Sequence, residues 1–171
     1  MTYEIERKFL VHGFVPPAAA RVQHVRQGYV AITGDGTEVR VRRADGRHTL
    51  TVKSGLGLTR VEVEREIGAA DFDALWPTTA SARIEKDRYR MADGPHTLVV
   101  DVYHGVLHGL CTAEIEFTSA EQARRYAPPG WLGEEVTGLV GYLNQSLATH
   151  GIPAQQESTR KDQHGHRIHQ A

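Results

Sequence analysis

The chain has 171 residues, enough for one domain with a substantial core but not for two full domains. Its 20 Lys and Arg residues nearly balance 21 Asp and Glu residues, which argues against a partner that is a nucleic acid or an anionic membrane. A single cysteine, Cys111, excludes an intrachain disulfide. Since no apolar run approaches the roughly 20 residues of a membrane-spanning helix, we expect a cytoplasmic protein.

Alternating segments separated by turn residues, such as Gly34-Asp35-Gly36 and Asp45-Gly46, predict consecutive antiparallel strands. We predict eight strands, near residues 2–12, 22–32, 37–43, 47–54, 59–67, 82–91, 96–104 and 111–118. Eight such strands can close into a barrel whose interior is wide enough for side chains or one small ligand. The expected fold is therefore mainly β (α+β), a closed eight-stranded antiparallel β-barrel with flanking helices.

Three segments carry helix signals and lie between or after these strands. Phe72, Leu75 and Trp76 share one side of a predicted helix over 71–76, and a Ser-x-x-Gln cap begins another over 119–126. Leucines at i, i+4 and i+8 predict a third over 137–150 that plugs or flanks the sheet. We therefore expect a domain at 1–153 and a polar, disordered tail at 154–171.

The charges follow a two-residue period in six of the predicted strands. In a strand, this spacing places all the charges of one set on a single face. The opening stretch MTYEIERKFLV places Glu4, Glu6 and Lys8 opposite Ile5, Phe9 and Val11. Later strands repeat the pattern with Arg40 and Arg42, Thr51 and Lys53, Glu62 and Glu64, Lys86 and Arg88, and Glu114 and Glu116.

If the charged face points into a barrel, burying so many ions without partners would cost several kcal/mol each. The interior must then stay wet or hold a highly charged ligand. Arginines and lysines match phosphate oxygens. Carboxylates at Glu4 and Glu6 and at Glu114 and Glu116 are hard oxygen ligands of the kind that Mg²⁺ or Mn²⁺ accepts while it also contacts phosphate.

The ordered set of motifs resembles the CYTH superfamily, also called triphosphate tunnel metalloenzymes. The set comprises ExExK (Glu4, Glu6, Lys8), RxR (Arg40, Arg42), TxK (Thr51, Lys53), RxExE (Arg60, Glu62, Glu64), KxRY (Lys86, Arg88, Tyr89), ExE (Glu114, Glu116) and the late GEEVT. It runs in order over about residues 1 to 147. The resemblance implies an eight-stranded tunnel that binds a triphosphate together with a divalent metal.

The resemblance also implies a role for each matched residue. The implied metal ligands are Glu4, Glu6, Glu114 and Glu116, with Glu62 and Glu64 as further carboxylates, and the implied phosphate ligands are Lys8, Arg40, Arg42, Lys53, Lys86 and Arg88. Tyr29, in RQGYVA, matches a tyrosine that resembles the proton acceptor when it is paired with the ExExK lysine, here Lys8. A nearby ammonium lowers the pKa of a phenol, which makes this pairing chemically reasonable. Asp101, in VVDVYHG, is a weaker candidate for binding metal or positioning water.

The predicted function is divalent-metal-dependent hydrolysis of a triphosphate, with inorganic triphosphate as the expected substrate. Thiamine triphosphatase, a class IV-like adenylate cyclase and a non-catalytic module that binds polyphosphate or nucleotides stay open as alternatives. A P-loop mechanism is excluded because the chain has no Gly-x-x-x-x-Gly-Lys-Ser/Thr element. A homodimer is compatible with the sequence.

Overall fold

A computed structural model describes residues 5–54 and 61–154, which form one antiparallel sheet with short helices. The described strands are β1 (Ile5–Val11), β2 (Val22–Ile32), β3 (Glu38–Ala44), β4 (Arg47–Ser54), β5 (Val61–Glu66), β6 (Arg83–Asp93), β7 (His96–Tyr103), β8 (Cys111–Phe117) and β9 (Leu132–Glu135). Their order across the sheet is β5-β4-β3-β2-β6-β7-β8-β1-β9. Hairpin connections therefore build two runs, β2 to β5 and β6 to β8, and β2 pairs with β6 to join them.

The prediction of a closed eight-stranded barrel is wrong for the described residues. Each predicted strand is present within a few residues of its expected bounds, but β9 is an additional strand, and it pairs with β1. The edge of β1 that would have to meet β5 is therefore already occupied. In the described ranges the sheet stays open, with β5 bonded on one side to β4 and β9 bonded on one side to β1.

The helices predicted over 119–126 and 137–150 are shorter in the structure, whereas the one predicted over 71–76 begins two residues earlier, at Ala69. The described α-helices are α1 (Ala69–Leu75), α2 (Ala120–Arg125) and α3 (Asn144–His150), and α1 continues into a 3-10 turn over Trp76–Thr79. The predicted helix over 137–150 is present only in its second half, preceded by a 3-10 turn over Val140–Tyr142. Among the described helices, none is both long enough and apolar enough to cross a membrane.

The two faces of the sheet differ in chemistry. One face carries an apolar cluster that includes Phe9, Val100, Ile115 and Phe117, and α2 packs against it through Ala123. The other face is charged over most of its length. One end of that face is apolar and is covered by Leu147 of α3, which packs in a cluster with Leu10, Ile84, Tyr103, Leu107, Leu110 and Val136. The prediction that the last helix plugs or flanks the sheet is confirmed.

Candidate active site

The strand register gathers the predicted basic residues on one surface, which we call the charged face. Residues directly opposite each other in antiparallel strands share a face. Lys8 is opposite Glu114, Arg88 is opposite Asp101, and Arg40 is opposite Thr51. In the same way, β2 presents Gln27 opposite Arg42 and Tyr29 opposite Arg40. The charged face thus carries Lys8, Tyr29, Arg40, Arg42, Lys53, Lys86, Arg88 and Glu114 together.

Lys86 and Arg88 are fixed by one buried carboxylate. Lys86 Nζ lies 2.6 Å from Asp101 Oδ2, and both side chains are fully buried. Arg88 contacts the same carboxylate through Nε to Oδ1 at 2.7 Å and Nη2 to Oδ2 at 2.8 Å. Both oxygens of Asp101 are therefore engaged by cations, and these cations lower its pKa well below the ordinary value. Asp101 positions two predicted phosphate ligands, which differs from the metal or water-positioning role considered from the sequence.

Burial disfavours the charged forms of Lys86 and Arg88. It lowers the pKa of Lys86 to about 8, although Asp101 opposes that shift. The bidentate contact with Asp101 instead raises the pKa of the Arg88 guanidinium above its ordinary value despite burial. The two cations therefore differ, since a modest rise in pH neutralises Lys86 while Arg88 stays charged.

Lys8 lies at the opposite side of the same face, on β1. Its Nζ lies 2.9 Å from Glu114 Oε1 and donates a hydrogen bond to the Tyr142 carbonyl at 2.9 Å. Arg88 Nη2 approaches the other oxygen, Glu114 Oε2, at 3.9 Å. Burial opposes ionisation of Glu114, but the charges of Lys8 and Lys86 prevail and lower its pKa. Glu114 is thus a carboxylate surrounded by cations.

Arg40 and Arg42 form the third part of the site, on β3. Arg40 donates from Nη2 to the Thr51 hydroxyl at 3.3 Å, and Thr51 in turn donates to Glu64 at 2.8 Å. Arg40 is 6% exposed, and its Nε has no hydrogen-bond acceptor among the described residues. A buried donor without an acceptor costs about 1–3 kcal/mol. An anionic oxygen on the charged face would remove that penalty.

Arg42 is held by one uncharged partner and lies close to other cations. Its Nε and Nη2 donate to Gln27 Oε1 at 3.3 and 3.2 Å. Burial and the charges of Arg40 and Arg88 lower the Arg42 pKa to about 10. Since like charges repel, a bound polyanion would stabilise this cluster of cations. Gln27 is fully buried, and it was not identified from the sequence as a site residue. The available signal was its position two residues before Tyr29, which places both side chains on the same face of β2.

Tyr29 lies on the charged face, but its environment differs from the expected one. Burial raises its pKa to about 12, and the nearby cations that oppose this shift are Arg40 and Arg42. Lys8 lies on β1, which is separated from β2 by three strands, β8, β7 and β6. The expectation that Lys8 lowers the Tyr29 pKa is therefore wrong in this structure. The Tyr29 hydroxyl accepts a hydrogen bond from Gln27 Nε2 at 3.4 Å.

The predicted metal carboxylates fall into two groups. Glu6 is directly opposite Glu116 on β1 and β8, one step along the strands from Glu114, while Glu62 and Glu64 lie on β5 at the far edge of the sheet. Glu62 pairs with Lys53 at 3.0 Å. Glu4 lies outside the described residues. No three His, Cys, Asp or Glu side chains within 5–54 and 61–154 form a group that could hold a metal ion.

The donor chemistry of the first group nevertheless fits a divalent cation. Glu6 and Glu116 are like charges in directly opposed positions, an arrangement that destabilises a sheet unless a cation offsets it. Carboxylate oxygens are the ligands that Mg²⁺ and Mn²⁺ prefer. Glu6, Glu114 and Glu116 are therefore the described residues best suited to hold such an ion, because they lie together on β1 and β8. Glu62 and Glu64 lie at the far edge of the sheet, on β5.

The motif GEEVT has a structural role that the sequence did not indicate. Glu135 accepts two hydrogen bonds from Arg7, at 2.9 and 2.6 Å, and one from Thr137 at 2.7 Å. The Lys8 amide donates to the Thr137 hydroxyl at 3.0 Å. The motif therefore fastens β9 to β1 and keeps the Lys8 backbone in place.

Comparison with known proteins gives matches over most of the chain. The CYTH domain family matches residues 2–141. An inorganic triphosphatase of Nitrosomonas europaea is 42% identical over 147 residues, which cover 85% of this chain and 96% of that protein. An inorganic triphosphatase of Acetivibrio thermocellus is 36% identical over 149 residues, covering 86% of this chain and 94% of that protein.

Solved structures give the same result. A crystal structure of an inorganic triphosphatase superimposes with a TM-score of 0.71 at 37% identity and covers 90% of this chain and 99% of its own. A putative adenylate cyclase from Bacillus halodurans has a TM-score of 0.51 at 19% identity over 71% of this chain and 84% of its own, which shows a shared fold alone. The match over most of the sequence, together with the charged face, shows that this chain belongs to the CYTH domain family.

Proposed function

We propose that this chain hydrolyses inorganic triphosphate to pyrophosphate and phosphate. The observation that carries the proposal is the convergence of buried cations on the charged face, where Lys8, Arg40 and Lys86 are each less than 8% exposed. Asp101 and Glu114 offset part of this charge. Arg42 donates to the uncharged Gln27 and is repelled by Arg40 and Arg88, so a bound anion would stabilise the cluster. The relatives named as inorganic triphosphatases support the choice of substrate.

The basic residues are proposed to bind different parts of the triphosphate, according to their positions on the charged face. Arg40 and Arg42 on β3, with Lys53 on β4, would bind one part of the triphosphate, and Lys86 and Arg88 on β6 would bind another. Lys8 and Glu114 lie beyond them on β1 and β8. Because the donors are already held by Asp101, Gln27 and Thr51, the substrate would meet a largely preorganised surface, which is how electrostatic catalysis is achieved.

The proposed metal ligands are Glu6, Glu114 and Glu116, with Glu4 as a further candidate outside the described residues and Glu62 and Glu64 as alternatives. A divalent cation there, Mg²⁺ or Mn²⁺, would neutralise charge on the phosphate oxygens during transfer. Glu114 also fixes Lys8, so that carboxylate would help to hold both the cation and the ammonium. Phosphoryl transfer depends mainly on this kind of positioning and charge neutralisation.

Tyr29 and Lys8 are the proposed catalytic residues. Water adds to the terminal phosphorus while the bridging phosphoanhydride bond breaks, which releases phosphate and pyrophosphate. With its pKa raised to about 12, Tyr29 is a neutral phenol at neutral pH, so we assign it to orienting a phosphate oxygen or the attacking water. Lys8 would stabilise negative charge on the departing side.

A substrate panel tests the proposal. The full chain is incubated with inorganic triphosphate, thiamine triphosphate or ATP, each with Mg²⁺ or Mn²⁺, and the products are resolved by chromatography. We expect orthophosphate and pyrophosphate from inorganic triphosphate, at a kcat/KM at least tenfold above that for the other two substrates. Cyclic AMP from ATP would assign the site to a cyclase, and tight binding without turnover would assign it to a binding module.

A further inference from the structure

We propose that Tyr103 is a positioning residue for the reaction, which holds the Lys86 ammonium with its ring and the start of α3 with its hydroxyl. Tyr103 ends β7 and lies directly opposite Lys86 on β6, so the two side chains share the charged face. Tyr103 is fully buried, and it was not identified from the sequence as a site residue. This inference rests on the proposed function, since Lys86 is a proposed phosphate ligand.

The Tyr103 ring lies next to the Lys86 ammonium. Lys86 Nζ is 5.2 Å from the centre of the ring, and the same nitrogen contacts the Asp101 carboxylate. An aromatic face within about 6 Å of a cation attracts it, and more strongly when the cation is removed from water. Since Lys86 is fully buried, the ring and the carboxylate together restrict the position of its ammonium group.

The Tyr103 hydroxyl contacts the first residue of α3. It donates a hydrogen bond to Asn144 Oδ1 at 3.1 Å. Burial and the charges of Asp101 and Glu114 raise the pKa of Tyr103 well above its ordinary value, so the hydroxyl keeps its proton and can donate it. Leu147 of the same helix packs in one apolar cluster with Tyr103. Tyr103 therefore fixes α3 to the sheet at the edge of the charged face.

The chain just before α3 connects Lys86 with Lys8. Two residues before Asn144, the Tyr142 carbonyl accepts the hydrogen bond from Lys8 Nζ at 2.9 Å. Lys8 and Lys86 lie on β1 and β6, which β8 and β7 separate in the sheet. Residues 142–144 therefore link two proposed phosphate ligands that do not lie on neighbouring strands. Because a misplacement of about 1 Å can lower a rate about 100-fold, a fixed distance between the two ammonium groups matters for catalysis.

Removal of the hydroxyl alone is the first test. Tyr103→Phe keeps the ring but loses the hydrogen bond to Asn144, so kcat for inorganic triphosphate should fall about three- to tenfold. KM should change less than twofold, because Lys8 is assigned to charge that develops during the reaction. All variants are compared at a temperature at which circular dichroism shows them folded.

Tyr126→Phe is the matched control for this variant. The Tyr126 hydroxyl also donates to a side chain, Asp93 Oδ2, at 2.7 Å. Its ring packs near Phe117 on the other face of the sheet, away from the charged face. The control should therefore change kcat and KM by less than twofold. Equal losses of kcat in Tyr103→Phe and Tyr126→Phe would overturn the inference.

A double-mutant cycle tests the contact between Tyr103 and α3. Asn144→Ala removes the same hydrogen bond from the other side. If the two residues act through this bond, the double variant Tyr103→Phe/Asn144→Ala should have a kcat within twofold of that of Asn144→Ala alone. Losses that multiply in the double variant would contradict the proposed link.

A second cycle tests the contact between the ring and Lys86. With Lys86 present, Tyr103→Leu should lower kcat/KM about tenfold more than Tyr103→Phe does, because it also removes the aromatic face. In the Lys86→Met background the two substitutions should agree within twofold. The same tenfold difference in both backgrounds would show that the ring acts only through packing and would overturn this part of the inference. If Tyr103→Leu does not fold, the cycle with Asn144 decides alone, whereas absence of triphosphate hydrolysis by the wild type would instead refute the proposed function.

Discussion

Replacement of Arg42 by methionine should lower kcat/KM for triphosphate without lowering the free energy of unfolding. Methionine keeps an unbranched side chain of similar length but removes the charge and the donors that contact Gln27. A hydrogen bond to a charged group contributes about 1.5–3 kcal/mol. At 1.4 kcal/mol for each factor of ten, loss of one Arg42 contact to a phosphate should reduce kcat/KM for triphosphate by about 10- to 150-fold.

The same substitution should not destabilise the protein. The Arg42 pKa of about 10, against an ordinary value of about 12.5, corresponds to about 3 kcal/mol of unfavourable free energy for the charged form at 1.36 kcal/mol per pKa unit. Removing the charge relieves burial and repulsion from Arg40 and Arg88. The free energy of unfolding should therefore stay unchanged or increase by up to about 3 kcal/mol.

The assays are phosphate release under initial-rate conditions and urea denaturation followed by circular dichroism. Arg43→Met is the matched control, because Arg43 is the next residue of β3 and points to the opposite, exposed side. It should retain full activity. Arg42→Lys restores the charge without the planar fork and should recover only part of the loss. Full activity of Arg42→Met, or a loss of activity equalled by a loss of stability, would refute the reasoning.

Three further predictions concern single residues of the charged face. Tyr29→Phe should lower kcat/KM about tenfold without changing the pH profile, since one hydrogen bond is lost; a thousandfold loss with a displaced pH limb would show that Tyr29 is the base. Between pH of about 8 and about 10.4, Lys86 is protonated in the unfolded state but has lost its proton in the folded state. The free energy of unfolding, measured by urea denaturation, should therefore rise by about 3 kcal/mol across this window. Lys86→Met should abolish that rise, and an unchanged slope would contradict it. Asp101→Asn should lower the free energy of unfolding by about 3–5 kcal/mol, because Lys86 and Arg88 then lose their shared carboxylate; a melting temperature equal to that of the wild type would argue against this role.

The sequence predicted the strands and the charged face because a two-residue period is a local signal. It did not predict β9, since four residues after Pro128-Pro129-Gly130 carry no alternation and their pairing with β1 joins distant parts of the chain. Barrel closure was wrong for that reason. Which edges of a sheet are occupied depends on tertiary contacts that a period cannot reveal.

The site residues show the same limit. Alternation predicted that Lys8 and the arginines lie on charged strand faces, and the family resemblance added Tyr29; the structure brings them to one surface. Their pairing depends on strand order, which sets Arg40 and Arg42 rather than Lys8 beside Tyr29. Asp101 was considered for metal or water, but its two oxygens are engaged by Lys86 and Arg88. The metal ligands, the homodimer and the tail at 154–171 stay predictions; all of the tail except Ala154 lies outside the described residues.

The most direct test of the central claim is phosphorus NMR of the full chain with inorganic triphosphate, followed with Mg²⁺ or Mn²⁺ and again after chelation. The charged face should convert each triphosphate into one pyrophosphate and one phosphate, and chelation should stop the reaction. An unchanged triphosphate spectrum with both metals, for a protein that is folded by circular dichroism, would contradict the account.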